Sequence, residues 1–123
     1  AKGICSKNDA IIFCEKKGKL YILLIELKSK NTGEYFKQLK MGHLFTQFIL
    51  EVLKLHSIYQ ADLDIEYRGI LFTTSEKESV NKLTSDDRQI EYENRDGLKF
   101  TKIHCSADNN TFNISMFLNS KTN

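Results

Sequence analysis

With 123 residues, 41% of them hydrophobic and 28% charged, the chain is long enough for one apolar core but too short for two. Its net charge of +2 is too small for a strong nucleic-acid binder that acts by charge alone, and it contains no 18-residue apolar stretch that would predict a transmembrane helix. The first residues also lack the apolar run of a signal peptide. We therefore expect a single domain, residues 1–123, located in the cytoplasm.

The first predicted element is a β-hairpin. Two apolar runs, 10–14 and 20–25, flank a polar stretch that contains Lys17-Gly18, and a two-residue loop there pairs Lys16 with Lys19. Six consecutive apolar residues in the second run are typical of a strand that is buried on both faces of a sheet. The expected strands cover about 10–15 and 19–28.

A long helix is expected next, from about Glu34 to Leu55. The loop before it carries Asn31 and Thr32, and either of these residues suits the N-cap position. Apolar residues recur along the helix at i, i+3 and i+4 spacing, which predicts one buried face. The residues predicted to form this face are Phe36, Leu39, Phe45, Phe48, Ile49, Val52 and Leu53.

The second half of the chain predicts one further core strand at about 65–73. Because a crossover helix precedes it, this strand should pair in parallel with strand 19–28. The remaining predicted elements are a short helix at 75–83, turns at Asp86-Asp87 and Asp96-Gly97, a strand at 98–105 and an apolar segment of open type at 112–118.

Three charged residues lie at one end of the predicted hairpin. Glu26 and Lys28 follow the buried run and are two positions apart, so in a strand both side chains point to the same face. If paired positions sum to 35, as they do for Lys16 and Lys19, Asp9 lies opposite Glu26. Two opposed carboxylates destabilise a sheet, and a shared divalent cation with its preference for oxygen ligands would remove the repulsion.

Asp9, a hairpin, Glu26-Leu27-Lys28 and a following helix together resemble the PD-(D/E)xK nuclease superfamily, in particular its archaeal Holliday-junction resolvases and restriction endonucleases. The resemblance covers about residues 3–75. It implies an α/β fold with a restriction-endonuclease-like core, in which a central mixed β-sheet contains an antiparallel hairpin, a crossover helix and a parallel strand. Many members carry another acid on an N-terminal helix, for which too few residues precede Asp9, so we expect a fragment or a trimmed chain.

The resemblance also implies a role for each matching residue. Asp9, Glu26 and the backbone carbonyl of Leu27 would hold Mg²⁺ or Mn²⁺, which activates water and offsets charge on the phosphate. Lys28 would orient the attacking water and stabilise the transition state. Gln38 on the helix would contact the substrate, as would Lys30. The expected activity is metal-dependent hydrolysis of phosphodiester bonds, with DNA as the expected substrate.

Positive charge is concentrated in the half of the chain that holds this motif. Residues 1–56 carry ten lysines against five acids, whereas residues 57–123 carry eight basic residues against eleven acids. Eight of these lysines are expected to form a rim that attracts phosphate around the site. They are Lys2, Lys7, Lys16, Lys17, Lys19, Lys30, Lys37 and Lys40.

Several alternatives stay open at this point. A catalytically inactive domain of the same fold would bind nucleic acid or protein, and the motif suits RNA hydrolysis as well as DNA hydrolysis. Asp9 could be a strand-entry residue, with Glu26 and Lys28 forming a weak pair at an exposed strand end. A second copy of the chain or a further domain of a longer parent chain is an additional candidate partner.

Overall fold

The computed structural model describes residues 10–28, 34–57, 64–74, 90–105 and 112–118. These residues form an α/β fold in which a mixed five-stranded sheet carries a long helix on one face and a short helix on the other. The elements are β1 (Ala10–Lys16), β2 (Lys19–Lys28), α1 (Tyr35–Leu55), β3 (Asp64–Thr73), β4 (Glu93–Arg95), β5 (Leu98–His104) and α2 (Ser115–Leu118), with the strands in the order β1-β2-β3-β5-β4.

The predicted hairpin forms with the predicted loop and register. Lys17 and Gly18 have φ angles of 52° and 79°, the left-handed values of a two-residue type I′ turn. Ala10 pairs with Ile25 at the far end of the ladder, so paired positions sum to 35 throughout. The turn chemistry therefore sets which side chains of β1 and β2 share a face.

The sheet extends beyond the hairpin in parallel. As predicted, β3 pairs in parallel with β2 after the α1 crossover, and β5 then pairs in parallel with β3. At the edge, β4 returns antiparallel to β5 through the predicted Asp96-Gly97 turn. The strand β4 itself has no counterpart among the predicted elements, because Glu-Asn-Arg is too short and too polar to show alternation.

Each face of the sheet has its own apolar core. Ile22 and Leu24 on β2 face α1, Leu23 faces the other layer, and all three are completely buried. This confirms the prediction of a strand covered on both faces. The core beside α1 consists of Ile22, Leu24, Tyr35, Phe36, Leu39, Leu50, Leu71, Leu98 and Phe100. The opposite core consists of Leu23, Ile70, Ile90, Ile103, Phe117 and Leu118.

α1 packs tightly against the sheet at Gly69 on β3. A Cβ atom at this position would lie 3.0 Å from Cδ1 of Leu39 and 3.3 Å from Cβ of Phe100.

We expect Gly69→Ala to lower the free energy of unfolding by about 1 kcal/mol and Gly69→Val by about 3 kcal/mol, because the added atoms must push α1 from the sheet. Urea unfolding measures both changes, and equal stability of all three proteins would contradict this packing.

The prediction of a single buried face on α1 is wrong. Phe36, Leu39 and Leu53 pack against the sheet, as expected. The other four predicted core positions, between 36% and 64% exposed, are Phe45, Phe48, Ile49 and Val52. Apolar residues thus occupy two stripes of α1, one against the sheet and one on its outer side.

The layer opposite α1 is anchored by a buried arginine. Arg68 on β3 is 2% exposed, and its guanidinium carbon lies 4.9 Å from the ring centroids of both Tyr21 and Tyr92. The guanidinium donates hydrogen bonds to the Glu66 carboxylate and to the carbonyl oxygen of Phe117, which also accepts one from the Tyr92 hydroxyl at 2.6 Å. A planar cation that stacks on rings and donates on several sides is suited to burial, so Arg68 ties α2 to the sheet.

The charge of Arg68 is balanced by Glu66. Burial alone would raise the pKa of Glu66, but hydrogen bonds from Lys19 and Arg68 outweigh it and hold the pKa below its ordinary value. The Lys19 ammonium lies 3.1 Å from the carboxylate and the Lys99 ammonium 3.6 Å. Burial raises the pKa of Tyr92 to about 12, so its hydroxyl keeps the proton that it donates to Phe117. These groups form a structural cluster in which the Glu66 carboxylate compensates the buried charge of Arg68.

Candidate site at the carboxyl edge of the parallel strands

Glu26 and Lys28 lie at the carboxyl end of β2, on the face that α1 covers. Side chains alternate along a strand, and Ile22 and Leu24 of the same series contact α1, so the shared face is as predicted. Glu26 is only 1% exposed, whereas Lys28 is partly exposed at the strand end. The burial of Glu26 argues against the alternative in which it belongs to a weak pair on the surface.

Two predicted site residues, Asp9 and Lys30, lie outside the described residues. The hairpin ladder is described as far as the pair Ala10 and Ile25, one position before the pair predicted for Asp9 and Glu26. The register behind that prediction is confirmed up to this pair, and the contact between the two carboxylates stays a prediction. The predicted caps Asn31 and Thr32, the helix at 75–83 and the turn at Asp86-Asp87 also fall outside the described residues.

The parallel register brings two further residues alongside Lys28. Lys28 pairs with Thr73 on β3, and Thr73 pairs with His104 on β5. Neighbouring strands lie about 5 Å apart, so these three residues form a row across the carboxyl edge on the α1 face. Thr73 is 1% exposed and His104 is half-buried. The row combines an ammonium, a hydroxyl and an imidazole, which are all able to donate hydrogen bonds to an anion.

A second row lies one step further inside the sheet. Glu26 pairs with Leu71, and Leu71 pairs with Lys102 on β5. The Lys102 ammonium lies 5.1 Å from the ring centroid of Tyr35, in the first turn of α1, which confirms that Lys102 is on the same face. Two strand spacings separate the Glu26 and Lys102 backbones by about 10 Å. One buried carboxylate and two lysines therefore share this corner of the sheet.

The contact between Tyr35 and Lys102 places the beginning of α1 at the same edge of the sheet. Gln38 lies one turn further along this helix. Its side chain is partly buried, and its amide oxygen is buried completely. An amide of this kind can donate to a phosphate or accept from a water molecule. The contact between Gln38 and the substrate stays a prediction.

An open cleft of about 390 Å³ adjoins the row at the ends of the parallel strands. Its lining consists of Leu27, Lys28, Phe72, Thr73, Thr74 and Cys105. Ligands of open α/β sheets bind outside the carboxyl ends of the strands, which is where this cleft lies. Burial raises the pKa of Cys105, so at neutral pH it is a thiol and not an activated nucleophile.

The predicted lysine rim is wrong for three of its members. Lys16, Lys17 and Lys19 lie at the hairpin turn, at the opposite end of β2 from Lys28 and about 30 Å away. Lys19 is engaged there with Glu66. Lys40 on α1 donates a hydrogen bond to the backbone oxygen of Asp96 at 2.8 Å. Among the described residues, Lys28 lines the cleft and Lys102 lies further inside, whereas the rim members Lys2, Lys7 and Lys30 are outside the described ranges.

Within the described ranges, no group of three or more His, Cys, Asp or Glu side chains is arranged to hold a metal ion. Glu26 contributes one carboxylate of the kind that Mg²⁺ and Mn²⁺ bind. The second expected carboxylate belongs to Asp9, which is not among those ranges. The metal site predicted from Asp9, Glu26 and the Leu27 carbonyl is therefore a proposal that rests on Glu26.

Sequence reasoning missed Thr73, Lys102 and His104 as site residues. A usable signal is present, because Lys102 and His104 repeat the spacing of Glu26 and Lys28 at the end of an apolar alternating run. Without knowledge of the strand order, however, nothing places the end of β5 two strands from β2.

Comparison of the chain with protein-family models, with curated proteins and with solved structures gives no match. In the part of the chain that the structure describes, no helix is both long and apolar enough to cross a membrane.

Proposed function

We propose that the chain is a metal-dependent nuclease of the PD-(D/E)xK type, built on a restriction-endonuclease-like core, and that it hydrolyses phosphodiester bonds of DNA. The observation that carries this proposal is the burial of Glu26 beside Lys28 at the carboxyl edge of the parallel strands. A buried carboxylate at this edge of the sheet is a ligand of the kind that Mg²⁺ and Mn²⁺ bind. The antiparallel hairpin, the α1 crossover and the parallel strand β3 agree with the core that the motif implies.

Each described residue of the site has a role in this proposal. Glu26, together with Asp9 and the Leu27 carbonyl, would hold Mg²⁺ or Mn²⁺, which when bound supplies an acidified water and offsets phosphate charge. Lys28 lies at the rim of the cleft, where its ammonium orients the attacking water and stabilises the charge that develops on the phosphate.

The row beside Lys28 would position the substrate. Thr73 and His104 lie on successive strands next to Lys28, and their hydroxyl and imidazole can donate hydrogen bonds to phosphate oxygens. Lys102 adds positive charge deeper in the same corner, and Gln38 would contact the substrate from α1. A polyanion is the class of ligand that fits this set of donors.

The test is incubation of plasmid, linear and single-stranded DNA with the intact chain in the presence of Mg²⁺, Mn²⁺ or EDTA. We expect cleavage with either metal and none with EDTA. Failure to cut any of these DNAs, together with no Mn²⁺ binding by calorimetry, would overturn the proposal. Binding of DNA without cleavage would point to the inactive nucleic-acid-binding module, and faster cleavage of RNA of matched sequence would change the substrate but keep the site.

A further inference from the structure

The outer side of α1 carries an apolar stripe that the fold leaves uncovered. We call it the outer seam. Leu44, Phe45 and Phe48 are 59%, 60% and 64% exposed, and Leu55 is 80% exposed. The complete outer seam consists of Met41, Leu44, Phe45, Phe48, Ile49, Val52 and Leu55.

The spacing within the outer seam is that of a helix that packs against another helix. Met41, Phe45, Phe48, Val52 and Leu55 follow one another at intervals of four, three, four and three residues. This seven-residue repeat keeps one line of side chains facing a helical partner over two heptads, a length of about 21 Å. Leu44 and Ile49 flank this line and widen the seam.

The area of the outer seam is large for a free surface. Fully exposed aromatic side chains offer roughly 150–250 Å² each, so the exposed fractions given above amount to about 600 Å² in all. The largest apolar patch of a typical monomer covers about 300–600 Å² and is often functional, and the outer seam lies at the upper end of that range. A standard stable interface buries about 800 Å² per partner, which the seam and its polar margin together can supply.

We propose that the outer seam is the interface of a symmetric homodimer in which α1 of one chain packs against α1 of a second copy. Heptad spacing over about 15 residues suits a partner helix of the same length. Of the helices in the described residues, α1 has 21 residues and α2 has four, so α1 of another copy is the helix that fits. The same patch on both chains satisfies a two-fold axis, which closes the assembly at two copies.

The charge pattern of α1 is compatible with self-association. Between Met41 and Leu55 the helix carries two charges, Glu51 and Lys54, which are of opposite sign and lie outside the outer seam. Two copies therefore meet without like-charge repulsion along the contact. No strong charge of one sign selects a partner of the opposite charge.

The test is sedimentation velocity of the intact chain over a wide concentration range, together with the variant Phe48→Glu. We expect the wild-type chain to form a dimer, and Phe48→Glu to raise the dimer dissociation constant about 100-fold or more, because the carboxylate enters the centre of an apolar contact. Gln47→Glu is the matched control, since it places the same charge on the exposed side of α1 next to the seam. It should change the dissociation constant by less than about threefold.

Circular dichroism establishes whether the Phe48→Glu chain is folded, and Leu44→Glu replaces it if helical signal is lost. The expected pattern is a dimeric wild type, a dimeric control and a folded, monomeric seam variant. A wild-type chain that stays monomeric throughout the range would overturn the proposal, as would a dimer that Phe48→Glu leaves intact or an assembly larger than two. The proposal does not depend on nuclease activity, so these outcomes are independent of DNA cleavage.

Discussion

Replacing Lys28 with alanine is expected to lower the rate of metal-dependent DNA cleavage by about 1,000-fold, because this side chain is the proposed source of transition-state stabilisation at the cleft. Lys28 lies at the end of β2 and is partly exposed, so its truncation leaves the core unchanged. Single-turnover cleavage of linear DNA with saturating Mn²⁺ measures the chemical step. Calorimetry of the same variant should show Mn²⁺ binding preserved, since the ammonium is not a metal ligand.

The matched control for this variant is Lys54→Ala. Lys54 is an exposed lysine in the last turn of α1, at the end of the helix away from the cleft, and its loss changes the net charge equally. We expect its cleavage rate to stay within about twofold of wild type, because screened surface charges contribute little at this distance. A Lys28→Ala chain that keeps more than a tenth of the wild-type rate would place the chemistry elsewhere in the molecule.

The largest expected effect on stability comes from Arg68→Leu. This change leaves the half-buried Glu66 without its closest partner and removes a hydrogen bond to the Phe117 carbonyl. Breaking a buried ion pair from one side costs about 3–5 kcal/mol, so we expect the free energy of unfolding to fall by about 4 kcal/mol. Urea unfolding followed by circular dichroism gives the value.

Lys99→Ala provides the control for the arginine. Lys99 on β5 is the most exposed of the basic partners of Glu66, and its ammonium lies 3.6 Å from the carboxylate. Because a solvent-exposed ion pair contributes little, its removal should cost less than about 0.5 kcal/mol. In the double variant Arg68→Leu with Glu66→Leu, much of the lost stability should return, because the carboxylate that lost its closest partner is removed as well. A loss below 1 kcal/mol for Arg68→Leu alone would show that this cluster does not anchor α2.

Part of the candidate site could be predicted because its pattern is local. Glu26 and Lys28 end an apolar run, and strand alternation puts them on one face whatever the rest of the chain does. Their neighbours Thr73 and His104 could not be placed in the same way. Their position beside Lys28 depends on the parallel register of three strands, which is set by contacts between residues far apart in the sequence.

The two faces of α1 illustrate a different limit. The spacing rule identifies apolar stripes, and α1 has two that satisfy it, one through Leu39 and one through Phe48. The packing of Leu39 against Gly69, together with the burial of Phe36 and Leu50, shows which stripe meets the sheet. Because both stripes are apolar, hydrophobicity alone does not choose between them.

By itself the sequence determined the hairpin with its Lys17-Gly18 turn, the extent of α1, and the parallel strand that follows it. These features depend on turn geometry, periodicity and connection handedness, which act over a few residues or a single crossover. Only the tertiary structure decided the strand order β1-β2-β3-β5-β4, the burial of Glu26 and the exposure of the outer seam. The physical reason is that several long-range arrangements bury comparable apolar area, and the choice among them comes from side-chain packing between distant segments.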